Sequence, residues 1–197
     1  MPLPTGSAEI ERIPMTEDLA KPKRTRPVRR SQPRSPIASA PRQPDTSEAW
    51  KQFAGNLVAA LRALEEDDYL ILKVKGTNRF VQFVSQGAFG MRAESVSDFY
   101  LPEDEHLSQE DYHQLLRLDW HPPTQLPREF GHDFDGSPNY FLDLAQPVAV
   151  EDLAVMAVLT LIHVRTAGHP GHLEYRAQSC DEQSIRLPHL GLRRMAA

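Results

Sequence analysis

The chain is poor in the residues that usually announce chemistry. It has one cysteine, Cys180, among 197 residues. An internal disulfide is therefore excluded, and a lone thiol suits a reducing, cytoplasmic setting. No apolar run approaches the ~18 residues a membrane-spanning helix needs. The first residues lack the apolar core of a secretory signal, so none is expected. Gly87 and Gly90 read as hairpin glycines, and no glycine-rich loop is placed to cradle a phosphate. No Ser, Cys or Lys stands beside a His and an acid in a recognisable nucleophile pattern. No paired carboxylates can be placed across one cleft. Together these absences move the expectation away from catalysis and toward binding.

Charge is what the chain has, and it is unevenly spread. Residues 1–44 hold nine Lys/Arg against four Asp/Glu, while residues 45–197 hold thirteen against twenty-three. Nine prolines in 1–44, from Pro2 to Pro44, forbid a long helix or a central strand, and too few apolar residues remain to offset ordering entropy. A disordered N-terminal tail is expected there. Its basic stretch, 21–34, contains Lys21, Lys23, Arg24, Arg26, Arg29, Arg30 and Arg34 and no acid. Such a run can contact nucleic acid, an anionic membrane or an acidic partner. With no aromatics interleaved to stack on bases, a solvated linker is the simpler reading. Residues 9–19 are a further candidate docking segment.

The pattern changes at Asp45. Asp45 and Glu48 resemble a capping box, and Trp50, Phe53, Leu57, Leu61 and Leu64 then recur on one helical stripe. The acidic run Glu65, Glu66, Asp67 and Asp68 opposes the helix dipole and should stop the helix in solvent. Residues 69–94 alternate as strands do, with turn signals at 76–78 and 86–88, and predict an antiparallel meander. A two-residue turn at Thr77 and Asn78 would pair Val74 with Val81 and Leu72 with Phe83. Leu70, Leu72, Val74, Val81 and Phe83 then form the core face. The opposite face carries Ile71, Phe80, Gln82 and Val84 with Lys73 and Lys75.

Beyond the meander, Phe99, Tyr100 and Leu101 read as an apolar anchor in a loop. A second helix should open at Ser108, bury Tyr112, Leu115, Leu116 and Leu118, and stop before Pro122, with Trp120 lying over its end. Leu142 to Leu144 suggest a helical turn. Residues 149–165 predict a third helix, apolar almost all round, which needs either a second layer or another subunit to cover it. Residues 172–177 suggest an edge strand, and 178–197 a loosely ordered tail. His132, Asp133 and Asp135 lack a spaced set of metal ligands, and His163, His169 and His172 match no metal spacing; no cofactor is expected.

Several of these residues carry a resemblance. They are Trp50 with Phe53, the run Arg79, Phe80, Val81, Gln82 and Phe83, then Ala93, Glu94 and Ser95. Leu118, Asp119, Trp120, His121, Pro122 and Pro123, with Pro138, Asn139, Tyr140 and Phe141 and the apolar third helix, complete the set. Over 45–177 the chain resembles the bacterial TY-Chap domains (Tir-chaperone and YbjN-related), which share the fold of type III secretion chaperones. Asp119 stands where that pattern has glycine. The resemblance implies an α+β fold of N-terminal helix, β-meander, helix and long apolar C-terminal helix. It also implies a non-enzymatic, often dimeric protein-binding domain for a secreted or effector client, with no catalytic residue to carry over. A client would lie on the face of Ile71, Phe80, Gln82 and Val84, or add to a free strand edge. The rival reading is an electrostatic adaptor, in which the basic tail binds nucleic acid or anionic membrane and the folded domain dimerises.

Overall fold

A computed structural model of the chain describes residues 46–124 and 136–196. The expected helix start at Asp45, the basic run 21–34, the segment 9–19 and the His132–Asp135 group lie outside the described residues. The fold is α+β. Its elements are α1 (Thr46–Arg62), β1 (Tyr69–Val74), β2 (Phe80–Ser85), β3 (Met91–Ser95), α2 (Gln109–Arg117), β4 (Tyr140–Leu144), α3 (Val150–His163), β5 (Leu173–Gln178) and β6 (Arg193–Arg194). The six strands form one sheet in the order β4-β3-β2-β1-β5-β6. All neighbours are antiparallel except β5 and β6, which run parallel.

The stripe of α1 is buried as its spacing predicts: Trp50, Phe53, Leu57, Leu61 and, just past the helix, Leu64 all join the core. The acidic turn after it is only partly in solvent. Asp68 is buried, and its carboxylate accepts the Glu65 N–H at 2.9 Å while Asp67 takes a left-handed φ of 64°. Asp67 and Asp68 then pair their backbones with Ser85, which starts the sheet.

The meander forms with a register shifted by two residues from the expected one. Leu72 pairs with Val81 and Leu70 with Phe83, because the Val74 N–H closes on the Arg79 carbonyl at 2.9 Å. The loop is thus four residues, with Gly76 at φ 74°. A shift of two preserves the side-chain parity. Leu70, Leu72, Val81 and Phe83 therefore still face the core, at 0% exposure. At the far end of β3, a Cβ on Gly90 (φ 113°) would sit 1.9 Å from the Leu144 carbonyl oxygen, so only glycine lets β4 lie this close.

Three expectations are corrected on the sheet. Residues 140–144 are a strand, not a helical turn: Tyr140, Leu142 and Leu144 alternate inward and pair with Ser95, Ala93 and Met91. The strand after α3 has the expected length, shifted by one residue, but it is not an edge strand, since β1 and β6 flank it on both sides. The stretch after Gln178 does not hang loose, since Leu187 and Leu190 reach the core at 3% and 2% exposure and the Leu187 N–H donates to the Tyr175 hydroxyl.

Helices α1 and α3 cover one face of the sheet, and among the described residues no helix covers the other. In α2, Leu115 is fully buried, but Leu116 is 51% and Tyr112 38% exposed, so the buried side is narrower than the sequence suggests. Ser108 caps α2 in a reciprocal box with Asp111. Its other end is a Schellman turn: the Trp120 N–H bonds the Leu115 carbonyl, the Asp119 N–H bonds that of Leu116, and Asp119 adopts φ 62°. Asp119 thus takes the left-handed geometry a glycine would take. Trp120 is buried and donates its Nε1–H to the Thr160 hydroxyl at 2.9 Å. Helix α3 spans 14 residues and is followed by more strand, so it is not the C-terminal element. Leu153, Ala154, Ala157, Val158 and Leu161 face the core, while Val155 is 52% exposed. Of the expected loop anchor, Leu101 is buried, while Phe99 and Tyr100 stay exposed.

Candidate binding surfaces

Alternation along β1 and β2 brings Ile71, Phe80, Gln82 and Val84 onto the open face, each half-buried. Their surroundings divide them. Gln82 lies in a cross-strand row between Ile71 and Glu94, and its amide donates to the Glu94 carboxylate at 2.6 Å. Glu94 is held further by Asn139 and Ser137, at 3.1 and 2.8 Å. Val84 sits in the next row, between Tyr69 and Arg92. Arg92 forms a fork with Asp143 at 2.7 Å and stacks 5.4 Å from the centre of the Phe141 ring. Ile71 and Phe80 instead line a cup of about 270 Å³ together with Lys73, Asn78, Tyr100, Arg176 and Met195. Burial and the nearby Glu94 raise the Tyr100 phenol above its ordinary range.

A second surface was not foreseen. Between the end of α2, strand β4 and the outer side of α3 lies a groove of about 460 Å³. Leu142, Leu144, Val155, Met156 and Leu159 make its apolar walls, and Arg117, Asp119 and Asp152 stand at its rim. It borders the free edge of the sheet. Phe141 exchanges backbone hydrogen bonds with His121, at 3.0 and 2.9 Å, on the side away from β3. Backbone groups alternate along a strand, so Asp143 points its own N–H and carbonyl the same way. No described residue pairs with that edge beyond Phe141. The only sequence signal for the groove is the excess of apolar residues around α3; reading 142–144 as a helical turn hid the strand edge.

The opposite end of β3 is a polar cluster that fixes the scaffold. Arg165 is fully buried, and its guanidinium donates to the Ser95 hydroxyl at 2.7 and 3.1 Å and to the Val96 carbonyl at 2.6 Å. Burial, reinforced by the neighbouring Arg79, lowers its pKa to about 10. The Tyr140 phenol is pushed well up by burial and by the nearby Tyr112 and Asp98. Tyr112 is raised first by its hydrogen bond to Asp98, at 2.5 Å.

Among the described residues no group of His, Cys, Asp or Glu is arranged to hold a metal ion, and no helix is long and apolar enough to cross a membrane. His169 and His172 meet edge-to-face with ring centres 6.1 Å apart, and His169 Nδ1 accepts the Gly171 N–H. Cys180 is exposed.

Among the described residues, the sheet is covered by helices on one face and has an apolar groove beside the outer edge of β4. Residues 43–179 match the family model described as T3SS (YopN, CesT) and YbjN peptide-binding chaperone 3, and the chain belongs to that TY-Chap3 family. No curated protein and no solved structure matched the chain.

Proposed function

We propose that this domain is a non-enzymatic chaperone-like module that holds an extended segment of a client protein along β4. The client's backbone adds to the free edge at Asp143, and alternate side chains enter the groove of Leu142, Leu144, Val155, Met156 and Leu159. The observation that carries this is the coincidence of an apolar groove with a strand edge that, among the described residues, is paired only at Phe141. Main-chain bonds supply affinity at such an edge, and side-chain pockets supply selectivity. A secreted or effector protein is the client class that the family resemblance implies. On the open face, Ile71 and Phe80 offer a second contact. Gln82 and Val84 contribute less, because Gln82 is bound to Glu94 and Val84 lies beside the Arg92–Asp143 pair.

The test is a peptide array screened with the full chain, followed by anisotropy titration of the strongest binder. Val155→Glu places a charge in the groove. Asp143→Pro removes one outward N–H without disturbing the ladder to β3, and Asp143→Ala controls for the lost ion pair. Val155→Glu and Asp143→Pro should each weaken binding by about tenfold or more, with Asp143→Ala near wild type. Equal binding by all four proteins would overturn the groove. A doubled mass in light scattering, abolished by Val155→Glu, would assign the groove to a second copy of the chain instead.

A further inference from the structure

The cup on the open face differs from the rest of the domain in charge. Residues 45–197 carry ten more acidic than basic side chains, yet the charged residues lining the cup, Lys73 and Arg176, are both cations. Its apolar floor is Ile71, Phe80 and Met195. The nearest acids are otherwise placed. Glu94 is held by Gln82, Asn139 and Ser137, and Glu105 accepts the Asn78 N–H at 2.7 Å. Glu174, opposite Lys73 on β5, is not within ion-pair distance of it. Arg176 spends one donor on the Ala196 carbonyl at 3.3 Å, which leaves the others of its guanidinium fork for a ligand.

We infer that this cup takes an acidic-apolar element of the client: one large apolar side chain on the Ile71–Phe80–Met195 floor, with a carboxylate beside it between Lys73 and Arg176. This rests on the peptide-binding reading above and names the chemistry the open face selects. A purely apolar segment would leave the two cations unused. A basic segment would be repelled by both, and like-charge contacts are how interfaces reject wrong partners. The geometry also accounts for the split among the four open-face residues, since only Ile71 and Phe80 belong to this cup.

The experiment uses the full chain and three fluorescein-labelled extended peptides, identical except for a central Phe-Glu, Phe-Gln or Phe-Lys pair. At low salt the Glu peptide should bind about tenfold more tightly than the Gln peptide, with the Lys peptide weakest. The gap should close as salt shortens the screening length, and it should vanish in the Lys73→Gln/Arg176→Gln variant. Both residues lie on the open face, outside the core, so that variant is expected to fold. Equal binding of the three peptides by the wild-type chain, lost in Val155→Glu, would overturn the cup and leave the groove standing. A Glu preference that survives in the double variant would overturn the cup by placing the preference elsewhere. If none of the three binds the wild type, the cup falls, and the groove is judged on the array alone.

Discussion

Strands β1 and β2 present apolar residues on both faces, but to different surroundings. On the covered face Leu70, Leu72, Val81 and Phe83 are at 0% exposure, under α1 and α3. On the open face Ile71, Phe80 and Val84 stay half-buried among Lys73, Gln82, Arg92, Glu94 and Arg176. The covered face has exchanged water for packing, and its contribution is stability. The open face has not, so its apolar groups contribute little to the fold and are available to something else. Sheets that face water on one side usually carry polar groups there; this one keeps an isoleucine and a phenylalanine beside two cations.

Two phenylalanines on one strand test this difference most directly. Phe83→Ala should cost about 3–5 kcal/mol, the range for deleting a buried aromatic. Phe80→Ala, on the other face of β2, should cost about 1 kcal/mol or less, because only part of its surface leaves water on folding. Urea unfolding followed by circular dichroism measures both. Similar losses would mean that the open face is covered in solution and that the contrast is false.

That contrast was readable from alternation alone, and the reason is instructive. The expected hairpin register is wrong by two residues, yet the strand side chains, Leu70 to Lys73 and Phe80 to Val84, lie on the faces expected of them, while Lys75 falls in the loop. Parity survives any even shift, whereas loop length depends on the local bond from Val74 to Arg79, which no composition rule reveals. The stripe of α1 was legible for the same reason of period. Strand β4 was not: Tyr140, Phe141, Leu142, Asp143 and Leu144 are too few to separate strand from helical turn, and only pairing with β3 decides it. The groove went unseen with it, because its walls come from three elements distant in sequence. Leu187 and Leu190 look like tail residues until the Tyr175 hydroxyl on β5 is seen to hold Leu187 and both are seen to join the core.

The covered face also buries a cation, Arg165, which lies beneath the end of β3. Arg165→Ala should lose about 3 kcal/mol, since it opens a cavity and strands the Val96 carbonyl. The pH dependence of that loss has a definite sign. Burial lowers the folded-state pKa to about 10, below the ordinary arginine range. Below that pH both folded and unfolded chains hold the proton, and the difference between wild type and variant is flat. Above it the unfolded chain binds more protons than the folded one, so the wild type gains stability relative to the variant. The raised phenol of Tyr140 acts in the opposite direction, and because the Arg165 charge holds that phenol down, its loss raises it further in the variant and widens the gap in the same sense. A gap that narrows above pH 10 would contradict the buried, desolvated placement.

A third change acts where the covered face meets its free edge. Gly90→Ala would drive a Cβ into the Leu144 carbonyl at a φ that L-residues avoid. It should cost about 2–3 kcal/mol and loosen β4 from β3. Hydrogen exchange should then rise at Leu142 and Leu144 ahead of Leu70 and Leu72. Uniform exchange across the sheet would mean that β4 is not a separable edge.

The smallest expected effect sits at the groove rim and asks whether the edge region was shaped for folding or for binding. Asp119 occupies the left-handed position of the turn that ends α2, where glycine has no steric penalty. If the turn is only structural, Asp119→Gly should stabilise the domain by about 0.5–1 kcal/mol. The urea midpoint would rise with an unchanged slope, and the affinity for an array-selected peptide would stay the same. If the carboxylate at the rim touches a bound segment, the same substitution should still raise the midpoint but weaken the peptide, so that stability and binding move in opposite directions. A fall in stability would exclude both and would mean that Asp119 supplies a contact to the folded chain beyond its backbone geometry.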